Sequence, residues 1–482
     1  MRVWSGMVVW LFLMSLGSAE ADDETKALLN ALMGQVQDLK TQVSQAHQRI
    51  DDLEAQLQQA KAVPLATNPI NTASSDIKPQ TGAENATSTP PSKKQPLVTA
   101  GDVKGTFKVP GSETSVGLGG YIKTDLLFSS NSVGSDRLGD EALMFSQIPV
   151  GGAPGEHSQM AMHAKESRLW FKSFTPNAHW GDINTLIEMD FFGDPAAYTY
   201  TPRLRHAYGS IGRFLAGQTW TTFLQVAAIP ENLDIGGSAG TVTLLRQPLI
   251  RWSQPFAWQG LEMNWHTALE APRSRIWDQR LPLANGSVPN ADNFFITAND
   301  DRYPDFVTRL DVNPEWGTLS LAAMVREIRY TRSQAIQREL WGGAVNFAGK
   351  INTVGLDNLR FMLHYGNAAG RYVATSNTFS DASMDEAGNM TQTTSYGGFV
   401  SYQHWWNKHW RSTVSMGMSR AEQGAWVNSR LTQEIRSLHA NLLWSPISQA
   451  MFGVEYLYAD RELIDGRDGD LQRLQFSARY NF

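Results

Sequence analysis

The chain has 482 residues, 41 Lys+Arg against 47 Asp+Glu for a net charge of −6, 42% hydrophobic residues and no cysteine. Zero cysteine excludes a disulfide scaffold, thiolate zinc sites and cysteine nucleophiles, and the mild acidity argues against general nucleic-acid binding. No apolar run after residue 16 is long enough for a membrane-spanning helix. The mean hydropathy of −0.32 still leaves a membrane β-barrel open, because a barrel hides its apolar face by alternation.

The first segment is an address. Arg2 supplies positive charge, Val8 to Leu16 form a short apolar core, and small residues follow around Ala19 and Ala21. Residues 1–21 therefore read as an export signal peptide. From Leu29 the apolar positions step 3, 4, 3, 4 through Leu32, Val36, Leu39, Val43, Ala46, Ile50, Leu53 and Leu57. That strict period predicts a coiled coil over 22–61, whose seam is buried only against partner helices. The alternative is one amphipathic helix lying on its own domain. β-Branched residues at a with Leu at d favour a dimer by peptide rules. Residues 62–100 hold Pro64, Pro69, Pro79, Pro90, Pro91 and Pro96 among many small polar residues, the composition of a disordered tether.

From residue 101 the period is two. The C-terminal stretch places Leu474, Phe476, Ala478, Tyr480 and Phe482 on one face and Arg473, Gln475, Ser477, Arg479 and Asn481 on the other. Ile183–Phe191, Leu261–Leu269 and Ala450–Tyr458 repeat the alternation. Seven short connections alternate with eight long ones near 129–163, 194–200, 222–243, 272–302, 330–338, 370–395, 420–431 and 460–470. The expectation for 101–482 is an all-β fold, a 16-stranded antiparallel transmembrane β-barrel, with short turns and the preceding coiled coil in the periplasm.

A barrel of this size is wide enough for an aqueous channel, and its lining decides what passes. From residue 101 there are 26 Arg and 7 Lys. Arginine grips a carboxylate through two parallel hydrogen bonds. The candidate pore-lining, anion-binding residues are Lys123, Arg168, Lys172, Arg203, Arg205, Arg251, Arg309 and Arg360; Arg473 and Arg479 share the polar face of the last strand. The competing expectation is that inward arginines are neutralised by inward Glu188, Asp190, Glu262, Asp311 and Glu455. Glu231 and Asp234 lie in the long, mostly uncharged 222–243 loop and are candidates for a constriction that faces the arginines.

Several phrases together resemble the DcaP-like porins of Gram-negative outer membranes: Gly120-Tyr-Ile-Lys-Thr-Asp125, Glu188-Met-Asp-Phe-Phe-Gly193, Leu204-Arg-His-Ala-Tyr-Gly209, Gly217-Gln-Thr-Trp-Thr-Thr-Phe223, Arg246-Gln-Pro-Leu-Ile-Arg251 and Gly453-Val-Glu-Tyr-Leu-Tyr458. The resemblance covers about 101–482. It implies a homo-trimer of sixteen-stranded channels in the outer membrane that take up small anionic solutes, dicarboxylates among them. It also implies that the coiled coil trimerises, against the dimer preference above.

The expected partners are outer-membrane lipid and lipopolysaccharide, the solutes, and the barrel assembly machinery, which reads a final aromatic such as Phe482. No nucleic acid, cofactor or metal is expected: His404 and His409 lack a third ligand, and Asp465–Asp470 lacks the ligand ladder of a calcium loop. Two other functions compete. One is a general or sugar-selective porin. The other is a phospholipase-type hydrolase, for which His439 and Ser437 share a face without a third member.

Overall fold

The computed structural model describes residues 99–482 except 133–139, 153–154, 194–198, 243, 281–294, 299 and 374–377. The signal peptide, the coiled coil and nearly all of the tether lie outside the described residues.

Sixteen antiparallel strands close into one barrel. They are β1 (Ser115–Ser129), β2 (Gln159–His163 and Arg168–Thr175), β3 (Ile183–Asp190), β4 (Arg203–Ile211), β5 (Phe214–Trp220), β6 (Arg246–Trp258), β7 (Leu261–Glu270) and β8 (Asp305–Asn313). The rest are β9 (Gly317–Ser333), β10 (Ile336–Asn352), β11 (Asn358–Asn367), β12 (Thr394–Trp405), β13 (Trp410–Glu422), β14 (Thr432–Ile447), β15 (Ala450–Leu463) and β16 (Asp468–Asn481). Each strand pairs with the next, and the β1–β16 ladder from Tyr121↔Asn481 to Ser129↔Arg473 closes the ring. Closure leaves no open edge, the condition for a sheet to survive in hydrocarbon.

Alternation decides the two faces. Along β16, Leu474, Phe476 and Tyr480 point outward and are exposed, while Arg473, Gln475 and Ser477 point inward and are buried. Trp180, Trp258, Trp316, Trp406, Trp410 and Trp444 all stand exposed at or beside the short turns. This is an aromatic belt of the kind that marks a membrane–water interface. All seven short turns lie at one end and all eight long loops at the other. The expected strand count and loop alternation are both found. Some strands run further than the sequence suggested, β6 to Trp258 and β10 to Asn352.

β2 is broken at 164–167. The break turns Lys165 onto Glu141 at 2.7 Å and aims Glu166 at Lys123.

The largest apolar core lies inside the barrel. The loop between β5 and β6, 221–245, folds inward and contributes Phe223, Leu224, Ala228, Ala239 and Val242. The loop before β2 adds Leu143, Phe145 and Ile148, and the loop before β12 adds Tyr372, Val373 and Phe379. They pack against inward wall residues including Val307, Met324, Ala348, Met362, Phe399, Ile435, Leu457 and Leu471. The strands on that side are thus apolar on both faces, which blunts their alternation. At the long-loop end, Ser274–Asp278, Ile296–Ala298, Ala382–Met384 and Met390–Gln392 form a second, four-stranded sheet, with Ile276, Ala298, Ala382 and Met384 packed on Ile328 and Tyr330 of β9.

Candidate functional site

The inward loop (221–245) is the centre of the site, and its backbone is held by the wall. Arg309 of β8 donates to the carbonyls of Thr222 and Leu224 at 3.0 and 2.6 Å. Asn346 of β10 donates to Phe223 O at 2.9 Å, and Arg360 of β11 to Ile229 O. Lys123 of β1 and Gln475 of β16 both donate to Leu233 O, at 2.8 and 3.1 Å. In the other direction, Glu455 of β15 accepts from the backbone N–H of Leu233 and Asp234 at 2.7 and 3.3 Å. A loop without regular structure must find partners for its buried backbone groups, and here the barrel wall supplies them.

Glycine permits the closest approach. Gly240 has φ +81°, and a Cβ there would sit 2.0 Å from Gly398 O. A Cβ on Gly417 of β13 would sit 2.0 Å from Ala239 O. Only backbone without side chains lets the loop lie this close to β12 and β13.

Two cavities flank the loop. The first, about 270 Å³, opens toward the long loops and is lined by Arg168, Arg203, Arg205 and Arg246, by Phe192 and Trp220, and by Leu143 and Ile229 among other apolar residues. No carboxylate lines it. Carboxylates behind three of the arginines hold them: Arg203 grips Asp190 through two bonds of 2.9 and 2.7 Å. Arg205 bridges Glu188 and Asp190 at 2.6 and 2.7 Å. Arg168 lies 3.7 Å from Glu188 and over the Tyr121 ring. Arg246 differs. Its guanidinium sits over Trp220, 4.7 Å from the ring centroid, with no hydrogen bond or ion pair among the described residues.

The second cavity, about 880 Å³, opens toward the short turns. Lys350, Arg360, Lys408, Arg411 and Arg479 line it together with His409, Trp405 and a single carboxylate, Glu231. Glu231 accepts two bonds from Arg411, at 2.7 and 2.6 Å, and one from Gln403 at 2.6 Å. Burial disfavours its charged form, but these bonds outweigh burial and hold its pKa below the ordinary glutamate value.

The residues expected from sequence divide into three groups. Arg168, Arg203 and Arg205 meet in the first cavity and Arg360 with Glu231 in the second. Lys123, Arg251 and Arg309 hold the inward loop: Arg251 donates to Thr222 Oγ1 at 2.9 Å and Trp220 O at 2.6 Å, and Lys123 also meets Glu166 and Asp125. Asp234, in the inward loop itself, is buried, 3.0 Å from Arg473 of β16 and accepting from Leu143 N, so it ties the loop to the wall and to the loop before β2. Lys172 lies over the Trp170 ring and lines neither cavity. Among the inward acids, Glu188 and Asp190 pair with arginines, Asp311 with Arg309 and His266, and Glu455 with His439. Glu262 has no ion pair among the described residues.

Sequence reasoning passed over Arg246, Lys350, Lys408 and Arg411. Arg246 lies on the opposite parity from the inward Gln247 and Leu249 of β6, so sorting by face misses it. Lys350 and Arg411 were legible as cations on the inward parity of their strands.

The serine–histidine pairs are structural. Ser437 Oγ accepts from Ala239 N at 2.8 Å, and His439 is bonded to Glu455 at 3.1 Å. A second constellation, unforeseen from sequence, links Ser253 Oγ to His266 Nδ1 at 2.8 Å and His266 Nε2 to Asp311 Oδ2 at 3.2 Å. Asp311 also takes Gln225 of the inward loop at 2.9 Å. The surrounding backbone belongs to the paired β6–β7–β8 ladders, which offers no free N–H pair for an oxyanion. The chain of groups ties loop to wall.

Residues 280–482 match the family model for the DcaP outer membrane protein, so the DcaP-like resemblance read from the residues is found again there. No functionally curated protein matches the chain. Among solved structures, the outer membrane channel DcaP of Acinetobacter baumannii is 19% identical with a TM-score of 0.64, over 78% of this chain and 99% of that one. OmpT of Vibrio cholerae is 9% identical with a TM-score of 0.47, over 78% and 99%. The anion-selective porin of Comamonas acidovorans is 11% identical with a TM-score of 0.45, over 77% and 100%. The chain shares its β-barrel fold with the Acinetobacter channel, and its C-terminal part, 280–482, matches the outer membrane protein family.

Proposed function

We propose that this DcaP-like barrel is a water-filled diffusion channel that favours small anionic solutes, dicarboxylates among them. The observation that carries the reading is the charge of the two cavities: nine Lys and Arg side chains line them against one carboxylate, Glu231. Low-dielectric walls focus such a field and raise the local concentration of the opposite ion. Cations held by neighbouring carboxylates are also held in position. A passing carboxylate can exchange water for guanidinium donors without reorganising the wall, and unpaired Arg246 offers a full charge with an apolar flank from Trp220 and Phe192. Multiple binding positions of moderate strength on either side of a narrowing let a solute arrive and also leave.

The same reading takes residues 1–21 as an export signal, 22–61 as a periplasmic coiled coil and 62–100 as a tether. It takes the assembly as a homo-trimer in contact with lipopolysaccharide, inserted by machinery that reads Phe482.

Solute uptake into proteoliposomes tests the proposal. Succinate should enter faster than an uncharged sugar of similar size. Equal rates would favour a general porin, and faster sugar entry would favour a sugar-selective one.

A further inference from the structure

The short-turn cavity contains a feature that the wall does not need. Lys350 and Arg360 stand directly opposite each other in the β10–β11 ladder, on the inward face. Like charges at such a position destabilise a sheet. Arg360 is engaged by Asn358 Oδ1 at 2.8 Å and Ile229 O, but neither partner carries charge. Lys350 has no hydrogen bond or ion pair among the described residues. The same holds for Lys408, in the turn after β12, and for Arg479 of β16. Arg479 lies over the Tyr121 ring at 5.5 Å, with a buried Nε that has no hydrogen-bond partner. Three separate parts of the barrel thus aim unpaired cations into one cavity of about 880 Å³, whose single acid is already taken by Arg411. In the long-loop cavity, by contrast, three of four arginines have carboxylate partners.

We propose that this short-turn vestibule is a second anion subsite, distinct from the arginine cavity across the loop, and that it selects polyanions: small solutes with at least two negative groups, set to span Lys350 with Arg360 on one wall and Arg479 on the other. The inference rests on the anion-channel reading and assigns it a second position with its own valence preference. A monoanion relieves one of these charges. A polyanion relieves the opposed Lys350–Arg360 pair and Arg479 together.

The test is calorimetric titration of citrate, with acetate beside it, into the detergent-solubilised full-length protein at low ionic strength. Citrate should bind and acetate should bind at least tenfold more weakly. Lys350→Gln with Arg479→Gln should weaken citrate by tenfold or more, since each lost charge-assisted bond costs about that factor. Lys408→Gln, in an exposed turn that tolerates it, should weaken citrate by a smaller factor. Citrate affinity unchanged in both variants, or absent in the unaltered protein, overturns the subsite. A reversal potential measured on the same preparation separates the two proposals. Anion preference with citrate binding indifferent to these residues sinks the subsite alone, whereas cation preference sinks the anion-channel reading and the subsite with it.

Discussion

Glu231 of the inward loop and Arg411 of β13 form a two-bond ion pair, Nε to Oε2 at 2.7 Å and Nη2 to Oε1 at 2.6 Å. The pair joins the loop to the wall and removes the only carboxylate of the short-turn cavity from the reach of passing cations.

Arg411→Leu should therefore act twice. It releases the loop locally, at a cost of about 1 kcal/mol for a partly exposed carboxylate that keeps its bond from Gln403, and it leaves Glu231 without a cationic partner. Single-channel recording should show noisier current and a reduced preference for chloride over potassium.

The pH dependence of that pair follows from its sign. Glu231 has a pKa below the ordinary value, so its contribution is complete above about 4.3, the ordinary glutamate pKa. It is lost as pH falls through the lower folded value. Conductance and protease resistance of the inward loop should be flat from about pH 8 to 5 and change only below about 4. A transition centred near pH 6 would point to a histidine instead.

Gly417→Val places a branched side chain where Ala239 O stands 2.0 Å from an ideal Cβ. Backbone cannot step aside as a flexible side chain does, so the loop must shift. The expected cost is about 1–3 kcal/mol of overpacking, read as a lower thermal midpoint, with altered conductance from the displaced loop.

Arg326 of β9 is fully buried between Asp305 and Asp381, at 3.3 and 3.0 Å, and also holds the carbonyls of Ala368 and Arg273. Arg326→Met leaves two buried carboxylates without their shared cation. A loss of about 3–5 kcal/mol is expected, visible in thermal unfolding.

Much of the barrel was legible because period-two alternation is a direct consequence of lipid on one side and polar lumen on the other. The last strand shows this from Arg473 to Phe482, and loop lengths supplied the count. The interior was harder to read. Once the inward loop docks, Met324, Met362 and Leu457 meet protein where water was expected, and nothing local in the sequence marks that. The arginines were legible as inward-facing, but their roles were not. Arg309 and Arg205 have the same residue type and parity, yet one holds backbone carbonyls of the loop and the other lines a cavity. That distinction depends on where a loop from another part of the chain comes to rest. Arg246 was hidden for a different reason: it stands where loop geometry gives way to strand geometry, and parity fails there.

The cations that line the two cavities should bias the channel toward anions. The zero-current potential across a planar bilayer in a tenfold KCl gradient measures this bias directly. Chloride should be preferred over potassium in the unaltered protein, and the preference should fall when Arg246→Gln removes the unpaired arginine of the first cavity. A potential of the opposite sign, reporting potassium preference, would mean that the cavity cations do not set the selectivity.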